Sequence, residues 1–421
     1  MKKLLSMVVI FCMVFILGAC GSKEAGSEAN GNTEDEKAKI KIEELNYQVN
    51  VEVDNGERYV MMKLTNNSKY VITNFELTYK AKKDVTNEQK NKFYDEIQKN
   101  FKFNEEDVNE LKQKRVANAT EQLKSKGYNV KLTDNVYKSD SRGCSSTGME
   151  RGKQFNELVS DKNVRAVFSA AGGDYLMEML DYVDFEQFKN NPKWFQGFSD
   201  NTGLVYPIVT TCDVAAVYGC HIGDFGMNPW QKPVENALGV LEGKVKVQKS
   251  FDYYESQRHE YVTGYEGYYN DEKVSWVNGR GEEKIEISGR LLGGCLDVIA
   301  FLIGTKYDGT QQFVEKYKKD GIIWALESFN MEDVVLVTHL WQMKERGYFK
   351  HAKGFVFGRP LMYNSWIEQP YKEAIMSILG DLDVPVIFDA DIGHKGPQFS
   401  IIEGALAKVS STGGKGVLQY A

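Results

Sequence analysis

The chain has 421 residues, of which 42% are hydrophobic and 26% charged, and a formal net charge of −7. That length exceeds one ordinary core and predicts two or three domains. The acidic balance argues against nucleic acid as a partner, because a phosphate-binding face shows as a basic excess.

The first twenty residues differ from the rest. Lys2 and Lys3 precede an almost wholly apolar stretch, Leu4 to Leu17, and Leu17-Gly18-Ala19-Cys20 follows. This pattern reads as a secretory signal peptide. A cysteine directly after small residues is similar to a bacterial lipobox, in which Cys20 is lipidated and becomes the mature N-terminus. A diacyl anchor of that kind holds a protein on the cell membrane, here on the extracytoplasmic face. An ordinary signal peptide or an anchor helix is the alternative. Beyond residue 20 no uncharged apolar run approaches the ~20 residues a spanning helix needs.

Residues 21–38 are small, polar and charged, which predicts a flexible tether. Residues 40–82 alternate in period two. Tyr47, Val49, Val51 and Val53 form one run, Arg58 to Thr65 follows the turn signal Asp54-Asn55-Gly56, and Val71 to Tyr79 alternates again. Three strands of a small β module are expected, similar to one found on Gram-positive lipoproteins or a generic spacer.

Residues 83–240 read as an α/β domain. A charged helical pattern over 86–126 stops at Gly127. Val130 to Leu132 suggests a short strand, and a helix is expected over about 148–160. The apolar run Val164, Ala166, Val167, Phe168 then ends at Gly172-Gly173 and gives way to a helical pattern. A strand, tight turn and helix at a sheet edge is where hydrolases place a nucleophile, yet this turn holds no serine or cysteine. Trp194 to Phe198 marks the next strand. Strands alternating with helices mean a layered α/β sheet.

Residues 245–421 read as a second, mixed α/β domain. Strands are expected at Lys246 to Tyr253, Glu283 to Ser288, Ile322 to Leu326, Gly354 to Gly358 and Val384 to Asp389, with Gly289 to Gly294 opening a helix. Further helices are expected around 331–346 and 366–379.

Setting aside Cys12 and Cys20, the cysteines Cys144, Cys212, Cys220 and Cys295 match no metal spacing; an outer-surface location permits any of three disulfide pairings or none, and most of the four read as free, partly buried small hydrophobes. Among the histidines, His259 and His351 sit beside charges and read as solvated, and His339 lies in a helical pattern. His394 follows the strand Val386-Ile387-Phe388 in a glycine-flanked loop, the position of a general base or of a residue that caps a turn. Glu327 leaves the strand Ile322 to Leu326 and is either an exposed glutamate at a strand end or a carboxylate that orients an imidazole, a role for which Asp389 and Asp391 compete. No His-x-x-x-His or His-x-His pattern supports a metal site. The Gly-x-Gly-x-x-Gly spacing of a dinucleotide site is also absent.

Several blocks in order carry a resemblance. They are GGDYLMEMLDYVDFEQFKNNPKWFQGFSDNTGL, GRLLGGCLDVIAFLIGT, GIIWALES, GFVFGRP and VPVIFDADIGHKGPQFSIIEGALAKV, spread over residues 110–420. This set resembles the LD-carboxypeptidases and microcin-C immunity peptidases, serine peptidases with a Ser-Glu-His triad. The resemblance implies an α/β N-terminal domain, a second β-rich α/β domain, a site between them, frequent homodimers, and no metal or organic cofactor. It implies cleavage before a terminal D-alanine in murein tetrapeptides, or of related amide bonds. It makes Glu327 the triad acid and His394 the base. Gly172, Gly173 and Asp174 become the turn that supplies oxyanion and substrate contacts.

Two departures stand out. The family serine expected three residues after the second glycine falls on Leu176, which cannot attack a carbonyl. Ser169 precedes the turn, and Ser199 falls in an FSD block that reads as structural. The family's opening strand is also unrecognisable before the charged helix, so the α/β sheet either lacks a strand or borrows one. The sequence therefore predicts an LD-carboxypeptidase-like hydrolase on murein peptides with its nucleophile replaced, or a lipoprotein that binds murein peptides without cutting them.

Overall fold

A computed structural model of the chain describes residues 45–54, 57–66, 105–257 and 263–421. Cys20, the tether at 21–38, the expected strand at 71–79, the start of the charged helix and His259 lie outside the described residues. The chain divides into two units, within residues 1–103 and from Asn104 to Ala421.

The described part of the first unit is an antiparallel hairpin of β1 (Leu45–Asp54) and β2 (Glu57–Asn66), registered from Leu45↔Asn66 to Asp54↔Glu57. The Asn55-Gly56 pair between them is the residue type that two-residue hairpins favour.

The second unit is mixed α/β, built on two main sheets. The smaller contains β3 (Ala166–Phe168), β4 (Trp194–Gly197) and β5 (Ala216–Tyr218), all parallel. The larger draws on β6 (Val247–Lys249), β9 (Val277–Asn278), β10 (Lys284–Cys295), β11 (Ile322–Glu327), β13 (Ala352–Gly358), β15 (Val386–Ala390), β17 (Leu406–Thr412) and β18 (Lys415–Tyr420). Its order is β6-β18-β17-β10-β11-β13-β15-β9, with β10, β11, β13 and β15 parallel. Two short pairs, β7 (Tyr253–Tyr254) with β8 (Glu272–Lys273) and β12 (Asn330–Glu332) with β14 (Met362–Asn364), decorate it.

The smaller sheet borrows its fourth strand. β16 (Ile401–Glu403) comes from the C-terminal half and pairs antiparallel with β5, from Ile401↔Tyr218 to Glu403↔Ala216. The expected strand at Val130 to Leu132 does not form. That stretch is irregular, and Val130 and Leu132 pack instead on a small apolar cluster around Val116, Ala119, Phe225 and Val234.

A second difference concerns Gly289 to Gly294, which belongs to β10 and not to a helix; the helix opens at Leu296. The glycines suit this strand because β11 runs very close. A side chain at Gly293 would overlap the backbone of Ala325. The four cysteines named above are free, and all four are buried. No helix among the described residues is long and apolar enough to cross a membrane.

Glu403 sits in the borrowed strand with 0% exposure. Burial drives its pKa well above the usual range, outweighing the pull of the Gly293 N–H. Neither carboxyl oxygen has a partner at hydrogen-bond geometry among the described residues. The fold therefore favours the neutral carboxyl. Its contribution to stability is full below the unfolded-state pKa of ~4.3 and is lost as pH rises. Glu403→Gln, which stays neutral, is expected to raise the melting temperature by a few degrees at about pH 7, with the gap closing towards pH 4. Thermal denaturation across that range checks it, and a pH-independent difference would contradict it.

Candidate functional site

The site is built where the ends of the two sheets meet. β4 ends at Gly197, Phe198 is extended, and Ser199 takes φ +61°, a left-handed conformation uncommon for a residue with a side chain. One short 3₁₀ turn later the helix Thr202–Cys212 begins. This strand, sharp turn and helix lifts the Ser199 hydroxyl off the sheet edge. Gly197 makes the turn possible, because a Cβ there would come 2.6 Å from Ser169 Oγ and 2.9 Å from Asn201 Cβ.

One residue that follows the larger sheet meets that hydroxyl, and a second at the end of that sheet supports it. His394 Nε2 lies 2.8 Å from Ser199 Oγ, and His394 Nδ1 lies 2.8 Å from Glu327 Oε2. Glu327 closes β11 with 0% exposure. Burial pushes its pKa up, but the charge of His394 and hydrogen bonds from His394, Tyr218 and Cys295 win and hold it below the usual range. An ionised carboxylate only accepts, so Nδ1 carries a proton, and in its neutral form the imidazole offers Nε2 as acceptor to the Ser199 hydroxyl. The arrangement can withdraw a proton from Ser199 as it attacks an electrophile. The imidazole is held by aromatic walls, with Phe198 at 5.2 Å and Phe329 at 4.8 Å between ring centres.

The Gly172-Gly173 turn lies against this hydroxyl. A Cβ at Gly172 would sit 3.1 Å from Ser199 Cβ and 3.2 Å from Ser199 Oγ, so a side chain there would crowd the serine. Gly172, Gly173 and Asp174 are exposed. Two side chains just past Ser199 hold the turn in place. Asn201 Nδ2 donates to the Ala171 carbonyl at 3.0 Å, and Asp200 Oδ2 accepts the Leu176 N–H at 2.9 Å. Burial lifts the Asp200 pKa to about 6, against the pull of the Leu176 N–H.

The geometry corrects the sequence reading of Leu176 and Ser199. Leu176 does not stand where a nucleophile is needed. Its side chain is buried in the apolar core, with Cδ2 lying 2.7 Å from where a Cβ on Gly203 would be. Only its backbone N–H serves the site, through Asp200. The hydroxyl that meets His394 belongs to Ser199, in the FSD block read from sequence as structural. The acid beside the imidazole is Glu327. Of its competitors, Asp391 is committed to Arg359 at 2.7 Å and Asp389 to Lys372 at 2.6 Å.

Sequence reasoning also passed over Tyr218 and His221. The Tyr218 hydroxyl donates to Glu327 Oε1 at 2.5 Å and accepts the Ser199 N–H at 3.2 Å. His221 stacks on Phe198 at 4.2 Å between centroids, and its Nδ1 lies 2.6 Å from Ser169 Oγ. Elsewhere, His339 lies in the helix Asp333–Glu345, and His351 pairs with Glu315 at 3.1 Å. No group of three or more metal-ligating side chains is gathered among the described residues.

Known proteins share this architecture. Residues 106–219 match the LD-carboxypeptidase N-terminal domain, and residues 288–409 match the LD-carboxypeptidase C-terminal domain. A Treponema pallidum protein provisionally named a carboxypeptidase is 26% identical over 309 residues, covering 70% of this chain and 84% of its own length. The microcin C7 self-immunity protein MccF of Escherichia coli is 24% identical over 281 residues, covering 61% of this chain and 74% of its own. Among solved structures, an MccF-like protein from Bacillus anthracis superposes with a TM-score of 0.59 at 22% identity, over 73% of this chain and 92% of that one. A muramoyltetrapeptide carboxypeptidase from Oxalobacter formigenes gives 0.56 at 19% identity, over 73% and 94%.

Ser199→Ala is expected to abolish covalent labelling by a fluorophosphonate, read as intact mass. Leu176→Ser is expected to leave labelling on Ser199 and to cost about 2–5 kcal/mol of stability through the cavity it opens. Labelling that moves to residue 176 in that variant would restore the sequence reading.

Proposed function

The chain belongs to the LD-carboxypeptidase family, and on that premise we propose that it is a serine carboxypeptidase that removes a terminal D-alanine from murein peptides. The observation that carries the reading is the unbroken hydrogen-bonded series Ser199–His394–Glu327, with Ser199 on a left-handed turn. Ser199 is the nucleophile, His394 the general base and then acid, and Glu327 the residue that orients the imidazole and stabilises its protonated form.

Attack of Ser199 Oγ on the carbonyl before D-alanine passes the hydroxyl proton to His394 Nε2. The tetrahedral oxyanion develops beside the Gly172-Gly173 turn, where backbone N–H groups can receive it. His394 returns the proton to the leaving amine, D-alanine departs, and an acyl-enzyme remains on Ser199. Water, deprotonated by the same imidazole, releases the shortened peptide. Each of these steps uses only residues already described in the site. The reading of a non-catalytic binder drew its support from Leu176, and that support goes with the reassignment to Ser199.

A murein substrate fits a protein held outside the cytoplasm. Cys20 after the small residues Gly18-Ala19 supports a lipid anchor, and the small, polar composition of residues 21–38 supports a tether between that anchor and the rest of the chain. Full-chain protein incubated with a murein tetrapeptide is expected to release free D-alanine, and Ser199→Ala to lower kcat by at least about 10³-fold. Peptide binding without release at high protein concentration would leave only the binder. Cys20→Ser is expected to move the protein from the membrane to the soluble fraction; retention in the membrane would refute the lipid anchor.

A further inference from the structure

Tyr218 ends β5 with 0% exposure, and its ring lies edge-on to Phe198 at 6.3 Å. Room for the ring comes from Gly294, at φ +119°, where a Cβ would lie 3.4 Å from Tyr218 Cε2. The phenol has one hydrogen. A carboxylate only accepts, so that hydrogen goes to Glu327 Oε1 at 2.5 Å, and an oxygen lone pair takes the Ser199 N–H at 3.2 Å. One oxygen atom therefore ties the backbone of the serine, which follows β4 of the smaller sheet, to the acid that closes β11 of the larger one.

We propose that Tyr218 is a positioning residue that sets the register between the Ser199 turn and Glu327, and that it removes the Ser199 N–H from the oxyanion site. This rests on the assignment of Ser199, His394 and Glu327 as the reacting series. Two consequences follow. Glu327 presents Oε2 alone to His394, because Oε1 is occupied, and this fixes the plane of the imidazole. The oxyanion is received by N–H groups other than that of the nucleophile, whereas in the chymotrypsin arrangement the nucleophile's own N–H takes part. The Gly172-Gly173 turn and the Asp200 N–H are left for that work. A second bridge runs parallel to Tyr218, since Thr202 Oγ1, on the helix after the serine, accepts the Cys295 N–H at 3.1 Å.

Removing the hydroxyl leaves the Glu327 charge with one donor fewer. Its attraction for a proton on the Glu327–His394 couple then strengthens, and the acidic limb of the pH–rate profile moves to higher pH. For full-chain Tyr218→Phe the expected outcome is a kcat lower by about 10- to 100-fold with KM little changed. The acidic limb should rise by on the order of one pH unit. The pH dependence of fluorophosphonate labelling at Ser199 reads the same limb without any peptide substrate, so a wrong substrate does not obscure the result. Combining Tyr218→Phe with Glu327→Gln is expected to cost much less than the sum of the two, because the tyrosine acts through the acid.

If Tyr218→Phe fails to fold, 3,5-difluorotyrosine at position 218 keeps the ring and hydroxyl. Its stronger donor is expected to move the limb to lower pH. An unchanged limb, or additive costs in the double variant, would reduce Tyr218 to a packing residue and overturn the proposal. A parent protein that is not labelled at Ser199 overturns the reading of the site, and the role of Tyr218 falls with it.

Discussion

The hydrogen bond between His394 and Ser199 is the contact on which the rest of the site depends. Its two ends belong to different sheets. Ser199 stands on a turn off the smaller sheet, while His394 follows β15 of the larger one and leans on Glu327 at the end of β11. A 2.8 Å contact across two sheets tolerates little sliding. Several features restrain that sliding: the Tyr218 hydroxyl, the Thr202–Cys295 bond, and β16, which leaves the C-terminal half to complete the smaller sheet. The glycines at 172, 197 and 294 serve the same end by letting backbone and rings approach where a side chain would block them.

Three buried carboxyl groups show how environment sets charge. Glu327 is fully buried yet held below its usual pKa, because an imidazole and hydrogen-bond donors repay its loss of water. Asp200, one residue past the serine, has the Leu176 N–H as its main support and is lifted to about 6. Glu403 has the least support and is lifted well above the carboxylate range. The ordering follows the number and charge of the partners more than the depth of burial, and the most heavily supported of the three is the one set against the imidazole.

Much of the site was legible in the sequence, because its elements carry strong local signals. An apolar run ending in a polar residue pointed to Glu327, a glycine-flanked loop after a strand pointed to His394, and the order of the blocks pointed to a family. Ser199 was missed for a physical reason. Its left-handed backbone is a conformation that sequence announces through glycine, and here a serine adopts it because the surrounding packing holds it there. The visible glycines at 172 and 173 drew attention to the neighbouring turn instead. The usable signal was Gly197-Phe198-Ser199 between a strand and a helix, half of a nucleophile-elbow pattern that lacks its second glycine. The borrowed strand was invisible for a different reason: three residues at 401–403 have no local mark that assigns them to one sheet over another.

The crossover of β16 also bears on how the chain comes into being. The smaller sheet gains its last strand only after residue 403 has been made, and the imidazole that meets Ser199 is residue 394 of 421. A nascent or clipped chain that ends before this point lacks both the fourth strand of that sheet and the imidazole that meets Ser199. The last strand of the sheet and the imidazole that meets the hydroxyl are thus supplied by the same late stretch of polypeptide.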